Sequence, residues 1–256
     1  MMISMLTSIL KKIGKKLIIA LIWLGIWQIL SAIVGLSVAL PSPAETFTEL
    51  CRLIVTEDFI ISVILSVTRI ITGFVAGLLL GCITGTLSAF SGFANELLSP
   101  VTSIIKATPV ASFIILAIMF IKTGNVPSFS TALMVFPFIY SNIKTGIKET
   151  DRQLLEMADA FGVSAGKKIR NIYIPSVKPY FISAATTAIG LAWKAGIAAE
   201  VICNPKLSIG NGIYESKIYL ETPRMFAWTA VVIVLSIILE KIIVLILKRG
   251  VADDKT

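Results

Sequence analysis

Apolar residues run along this chain in long blocks, without the regular short alternation of a soluble amphipathic fold. The first block, Leu17–Leu40 (LIIALIWLGIWQILSAIVGLSVAL), follows the basic stretch KKIGKK. A basic start before an apolar run also describes a secretory signal, with Ser37-Val38-Ala39 as its cleavage site. The run is about twice the length of such a signal, so it predicts a retained helix. Leu40–Asp58 is more polar, holds Pro41, Pro43 and several acids, and predicts a loop with a short helix. The second block, Phe59–Phe90, exceeds one bilayer crossing of about 20 residues, which places its first residues along the interface. The third span is about Val110–Ile121 with a few residues before it, ending at KTGN. The fourth is about Pro127–Ile147, kinked at Pro137. A charged stretch, 148–178, precedes the fifth span, Tyr180–Val201, and the sixth is Met225–Leu247. The predicted fold is all-α: one polytopic membrane domain over 1–256 with about six transmembrane helices.

Composition agrees with the pattern. Of 256 residues, 56% are hydrophobic and 15% charged, and the mean hydropathy is +0.90. A soluble domain is nearer half apolar and a quarter charged. Six crossings put both termini on one side, with Lys11, Lys12, Lys15, Lys16, Lys106, Lys144, Lys148, Arg152, Lys167, Lys168, Arg170, Lys178, Lys248, Arg249 and Lys255. The opposite loops hold only Arg52, Lys122, Lys206, Lys217 and Arg224. The positive-inside rule therefore predicts cytoplasmic termini and a cytoplasmic 148–178 loop. The net charge of +8 follows from that topology and does not indicate nucleic-acid binding, because no basic patch is interleaved with stacking aromatics. The chain has no histidine, which removes Ser-His triads, His-ligated zinc and most haem ligation. Cys51, Cys82 and Cys203 have no metal spacing. Cys82 reads as a packing residue, while Cys51 and Cys203 share the outer side, where a pairing is conceivable but disfavoured.

In RIITGFVAGLLLGCITG, Gly73, Gly77, Gly81 and Gly85 recur every four residues, one smooth face that lets a neighbouring helix approach closely. Arg69 stands one step before them and is expected to point into protein, since a guanidinium facing lipid is costly. It is either a structural arginine or a contact to a transported solute.

The stretch EMADAFGVSAGKKIRNIYIP, Glu156–Pro175, carries a Gly-x-x-x-Gly-Lys-Lys. A phosphate-binding loop needs four residues between its glycines and a hydroxyl residue after the lysine. Three separate Gly162 from Gly166, and Lys168 follows Lys167, so the nucleotide reading fails. The pattern predicts helix, turn, helix instead. Arg152–Phe161 places Leu154, Leu155, Ala158 and Phe161 near one face, and Gly162 ends that helix. Ser164 caps a second, short helix with Lys167, Lys168 and Arg170, which Pro175 stops. Composition alone leaves open whether this knob lies on the bilayer or meets a partner.

Glu156-x-Ala158, Gly162 and Ile172-x-Ile174-Pro175 closely resemble the EAA loop of bacterial ABC-importer permeases: Glu-Ala-Ala, three residues, Gly, nine residues, Ile-x-Leu-Pro. Met157 replaces the usual Ala and Ile174 the usual Leu. The resemblance covers about 62–248 and is nearest the nitrate/sulfonate/taurine branch of type I importers. SVTRIITGF is similar to that branch's Ser-Leu-x-Arg-x-x-x-Gly-Phe, with Val67 for Leu. ATPVASF resembles the proline-bearing start of its third span, and SIGNGI its Gly-Leu-Gly segment with Ile209 for Leu. GLAWKAGIAAE resembles its Gly-Leu-Ala-Trp followed by Ala-Ala-Glu.

The resemblance implies a multi-pass permease of a bacterial inner membrane that is a transport subunit and not an enzyme. It implies two permease subunits, this chain pairing with itself, two cytoplasmic ABC ATPases holding ATP and magnesium, and an extracytoplasmic solute-binding protein, with no cofactor on this chain. The 148–178 knob would be the coupling region, through Glu156, Met157, Ala158, Gly162, Ile172, Ile174 and Pro175. Glu156 would pair with an ATPase cation or cap its own loop; both stay open. In the fifth span, Lys194 and Glu200 are intramembrane charges. Six residues apart, they are displaced by about 120° and cannot readily pair. Lys194 either faces the translocation path, favouring an anionic or carboxylate-bearing solute, or pairs with Glu240 or another acid. A secondary transporter or a membrane scaffold leaves the Glu156–Pro175 spacing unexplained, and no duplicated half is visible.

Overall fold

The computed structural model describes residues 2–252. Lys255, counted above on the inner side, lies outside the described residues, as do the side chains of Lys11, Lys12, Lys16, Lys248 and Arg249. Among the described residues the chain is all-helical: α1 Met2–Val34, α2 Pro43–Ile54, α3 Glu57–Phe90, α4 Gly92–Ala107, α5 Val110–Phe120, α6 Val126–Lys148, α7 Arg152–Ala160, α8 Ala165–Lys168, α9 Ile174–Cys203, α10 Ile209–Ile218 and α11 Thr222–Ala252. Five segments are long and apolar enough to cross a membrane, or six if α4 and α5, bent by 106°, count as one.

Up to α5 the helices differ from the sequence expectation at three places, each for a local reason. The first span ends at Val34, six residues early, because Gly35 turns to φ +65 and its N–H donates to Ser31 O at 3.0 Å. Glycine alone adopts that φ freely. The second block is one 34-residue helix with no break after its first turns. The third span is a broken pair. Thr108 is extended at the end of α4, as the residue before a proline tends to be, and Pro109 precedes α5. The polar stretch after the first span contains α2, started by Pro43 and a reciprocal capping box between Ser42 and Glu45.

Contacts divide the chain into two compact units: Met1–Ile60 with Gly212–Val231, and Ile61–Asn211 with Val232–Thr256. In the first, Trp27 Nε1 donates to Pro41 O at 3.0 Å and Thr222 Oγ1 to Val38 O at 2.6 Å. Phe226 tilts against Trp27, their rings 5.8 Å apart.

The second unit is organised around α6 and α9. Its core joins Phe74 of α3, Val135, Ile139 and Ile143 of α6, and Ala184, Ala185, Ala188, Ile189 and Ala192 of α9. The run of alanines keeps the α9 face low, so backbones meet closely where lipid supplies no hydrophobic drive. The α3 glycines do the same against α6. A Cβ on Gly73 would lie 2.2 Å from Ser128 O, on Gly77 2.6 Å from Ala132 O, on Gly81 2.6 Å from Ile139 Cβ, and on Gly85 2.8 Å from Tyr140 O. These backbone approaches exclude any larger residue without moving a helix.

Candidate functional site

At one end of α9 stands the predicted knob. Asp151 Oδ1 accepts from the Gln153 N–H at 2.8 Å and starts α7. The far end closes as a Schellman motif: the Gly162 N–H donates to Asp159 O at 3.0 Å and the Val163 N–H to Ala158 O at 2.9 Å. Gly162 has φ +64 with no atom within 4 Å of an added Cβ, so its requirement is backbone shape. Ala158 is buried, whereas Leu154, Met157 and Phe161 are exposed, Phe161 by 79%. Arg152 Nε donates to Glu156 Oε1 at 2.9 Å, both groups largely in the open. Lys168 Nζ pairs with Asp159 and ties the second arm of the knob to the first. Ser164 occupies the N-cap position of α8 but makes no side-chain cap.

Pro175 does not stop the second helix. Helical structure runs for 39 residues, Ala165–Cys203, through a π-helical turn at Ile169–Tyr173. There the Ile174 N–H reaches back to Ile169 O. The wide turn makes room for a ring that lacks an N–H and would clash in a regular helix interior. Ile172 is half-buried, while Ile174 and Pro175 are exposed. The same turn walls an apolar cavity of about 410 Å³ with Phe90, Ile147 and Phe181, and Tyr173 meets Phe90 edge-on at 5.4 Å.

At the other end of α9, Glu200 is fully buried. Its Oε2 accepts from Ser66 Oγ at 2.7 Å and from the Gly210 N–H at 3.2 Å. Its Oε1 faces Arg69 Nη1 at 3.3 Å. Arg69 also donates to Leu207 O at 3.3 Å and Lys206 O at 3.5 Å. Ser66 accepts the Ile209 N–H at 3.0 Å. The cluster thus satisfies the first N–H groups of α10, where negative charge is favoured. Gly210 permits the approach, since a Cβ there would sit 2.3 Å from Glu200 Cβ. Asn204 and Leu207 hold φ 51 and 52 in the intervening loop.

The structure therefore brings Arg69 and Glu200 together and leaves Lys194 apart. Lys194 is exposed, and no acid of the described residues lies within 4 Å of it. Cys51 and Cys203 are free thiols. Ser66 and Gly210 fall inside the quoted SVTRIITGF and SIGNGI stretches, but the sequence gives neither of them a partner. The available signal is spacing: Ser66 precedes Arg69 by three residues and Gly73 by seven, which sets it on the same side of α3.

The family described as "Binding-protein-dependent transport system inner membrane component" matches residues 73–252. The chain belongs to that family. It is a multi-pass inner-membrane permease of an ABC importer, and the matched region contains the knob, Lys194, Glu200 and Gly210. This permease is 28% identical over 195 residues to the "Nitrate import permease protein NrtB" of Synechococcus elongatus, covering 71% of this chain and 68% of that one. It is 29% identical over 201 residues to the "Putative aliphatic sulfonates transport permease protein SsuC" of Escherichia coli, covering 77% and 76%. A solved structure described as "an amino acid ABC transporter with histidines" superposes with TM-score 0.62 at 18% identity, over 75% of the permease and 94% of that chain. That likeness shows the permease fold.

Proposed function

We propose that this permease imports a small anionic solute, and that the 148–178 knob is where partner ATPases drive it. The observation that carries the coupling reading is the knob itself: a capped, cross-tied pair of helical arms that leaves Leu154, Met157 and Phe161 exposed beside the Arg152–Glu156 pair. Apolar anchors ringed by charge are the composition of a protein-docking face. The ATPases hold ATP and magnesium, a second copy of this chain completes the path, and an extracytoplasmic protein delivers the solute. The excess of basic residues on one set of loops supports cytoplasmic termini and a cytoplasmic knob. Closure of the ATPase pair moves each knob as a rigid body and tips the helices between inward-open and outward-open arrangements.

Anion preference rests on Lys194 and on the relatives. Those relatives are named for nitrate and sulfonate, and Lys194 presents an exposed cation on α9 without an acidic partner among the described residues.

Co-purification with the cognate ATPase tests the coupling reading. Proline at 162 cannot reach φ +64, because its ring fixes φ near −65°. Gly162→Pro is expected to abolish ATPase capture while the permease still inserts and runs as a monodisperse peak. Wild-type capture by the variant would remove the knob as the docking site.

A further inference from the structure

We infer that Glu200 is the positioning residue that couples the 204–210 loop, whose last two residues open α10, to α9, so that this loop and the coupling knob are carried by one rod; the inference rests on the importer reading above. The rod is visible. Helical structure is continuous from Ala165 to Cys203, about 60 Å at a rise of about 1.5 Å per residue, and Glu200 stands in its last turn. The knob's second arm is the first turn of this same rod.

Beyond Cys203 the helix ends at Asn204, whose left-handed φ turns the chain away. A loop of this kind would ordinarily move independently of the helix it follows. Here it cannot. Glu200 Oε2 holds the Gly210 N–H, and Ser66 holds the Ile209 N–H while donating to the same carboxylate. Arg69 fastens the middle of the loop through the carbonyls of Lys206 and Leu207 while facing Glu200 Oε1. One buried carboxylate therefore sets the position of both the loop's end and the arginine that grips its centre. Displacement of α9 carries α3 and the 204–210 loop with it. On the importer topology this loop faces the binding protein, so the cluster joins the ATPase end of the cycle to the delivery end.

The test uses the whole importer in liposomes, with Cys51, Cys82 and Cys203 replaced by serine and a nitroxide attached at Lys206→Cys, an exposed site in the loop. Glu200→Gln and Ser66→Ala are compared with the parent. Both variants keep the packing, and each removes part of the clamp. Three quantities are read: nitroxide mobility, ATP hydrolysis by the assembled complex, and uptake per ATP hydrolysed of nitrate or ethanesulfonate, whichever the parent accumulates. The expected result is a loop label passing from immobilised to mobile and uptake per ATP falling by about tenfold, the size of an ordinary coupling between sites, with hydrolysis continuing. A label that stays immobilised would overturn the clamp. A mobile label with unchanged uptake per ATP would overturn its coupling role. Failure of both variants to assemble would make the cluster a folding requirement and overturn the inference equally. If the parent itself shows no ATP-driven uptake, the importer reading fails, and the label still reports on the clamp.

Discussion

Two glutamates of this permease, Glu156 and Glu200, meet an arginine in opposite ways. The Glu156 side chain is 66% exposed and bonds Arg152 one turn away on its own helix. The Glu200 side chain is fully buried and gathers Ser66, Arg69 and the Gly210 N–H, groups from a distant helix and from the first turn of α10. The first pair is a local contact in water, where such pairs contribute about 0–1 kcal/mol. It can be exchanged for a partner's charge at little cost. The second pair cannot be given up, because a buried carboxylate without its cation is strongly unfavourable. The same chemistry thus makes an exchangeable pair on the proposed docking face and a fixed joint at the far end of α9.

Substitutions at three positions probe that contrast, in descending order of effect. Arg69→Ala strands the Glu200 carboxylate and is expected to lower stability by on the order of 3–5 kcal/mol, read from thermal unfolding in detergent. A change below about 1 kcal/mol would mean that Ser66 and the Gly210 N–H suffice. Lys194 is an exposed charge of α9 six residues before Glu200, and Lys194→Met is expected to slow uptake of an anionic solute about fivefold. That is the scale of a unit-charge attraction near 4 Å in water. Lys194→Arg is expected to restore the rate, and an unchanged rate and substrate range for the methionine variant would take Lys194 out of the path. Glu156→Gln is expected to leave stability within about 0.5 kcal/mol but to flatten the salt dependence of ATPase capture. If capture keeps its full salt dependence, the docking face does not use this charge.

Much of this was legible in the residues because it is local. Five apolar blocks reach bilayer length by themselves, Gly162 marks a turn that only a positive φ can make, and the four-residue recurrence of Gly73, Gly77, Gly81 and Gly85 describes one face whatever lies opposite. What escaped was pairwise or conditional. Ser66 and Glu200 stand 134 positions apart, and periodicity tells which way a residue faces without telling what it meets. The α4 helix escaped because Glu96, Pro100 and Lys106 dilute its apolar signal, and the sharp bend after it requires knowing that Thr108 is extended. Pro175 departs from its expected role for a physical reason: proline stops a regular helix, and composition carries no sign of the wider turn that precedes it.

That wider turn has a geometric corollary. Five residues at Ile169–Tyr173 occupy a coil that a tighter winding would fill with fewer. Every side chain on the knob's side is therefore set at a different azimuth about the rod axis from the one an uninterrupted α-helix would give it. Regular α-winding of all five residues would swing the knob by about 100°, whereas loss of a single residue would let the winding become regular with the knob close to its present azimuth. The direction in which the knob points is therefore written in how one short coil is wound, independently of what the knob itself is made of.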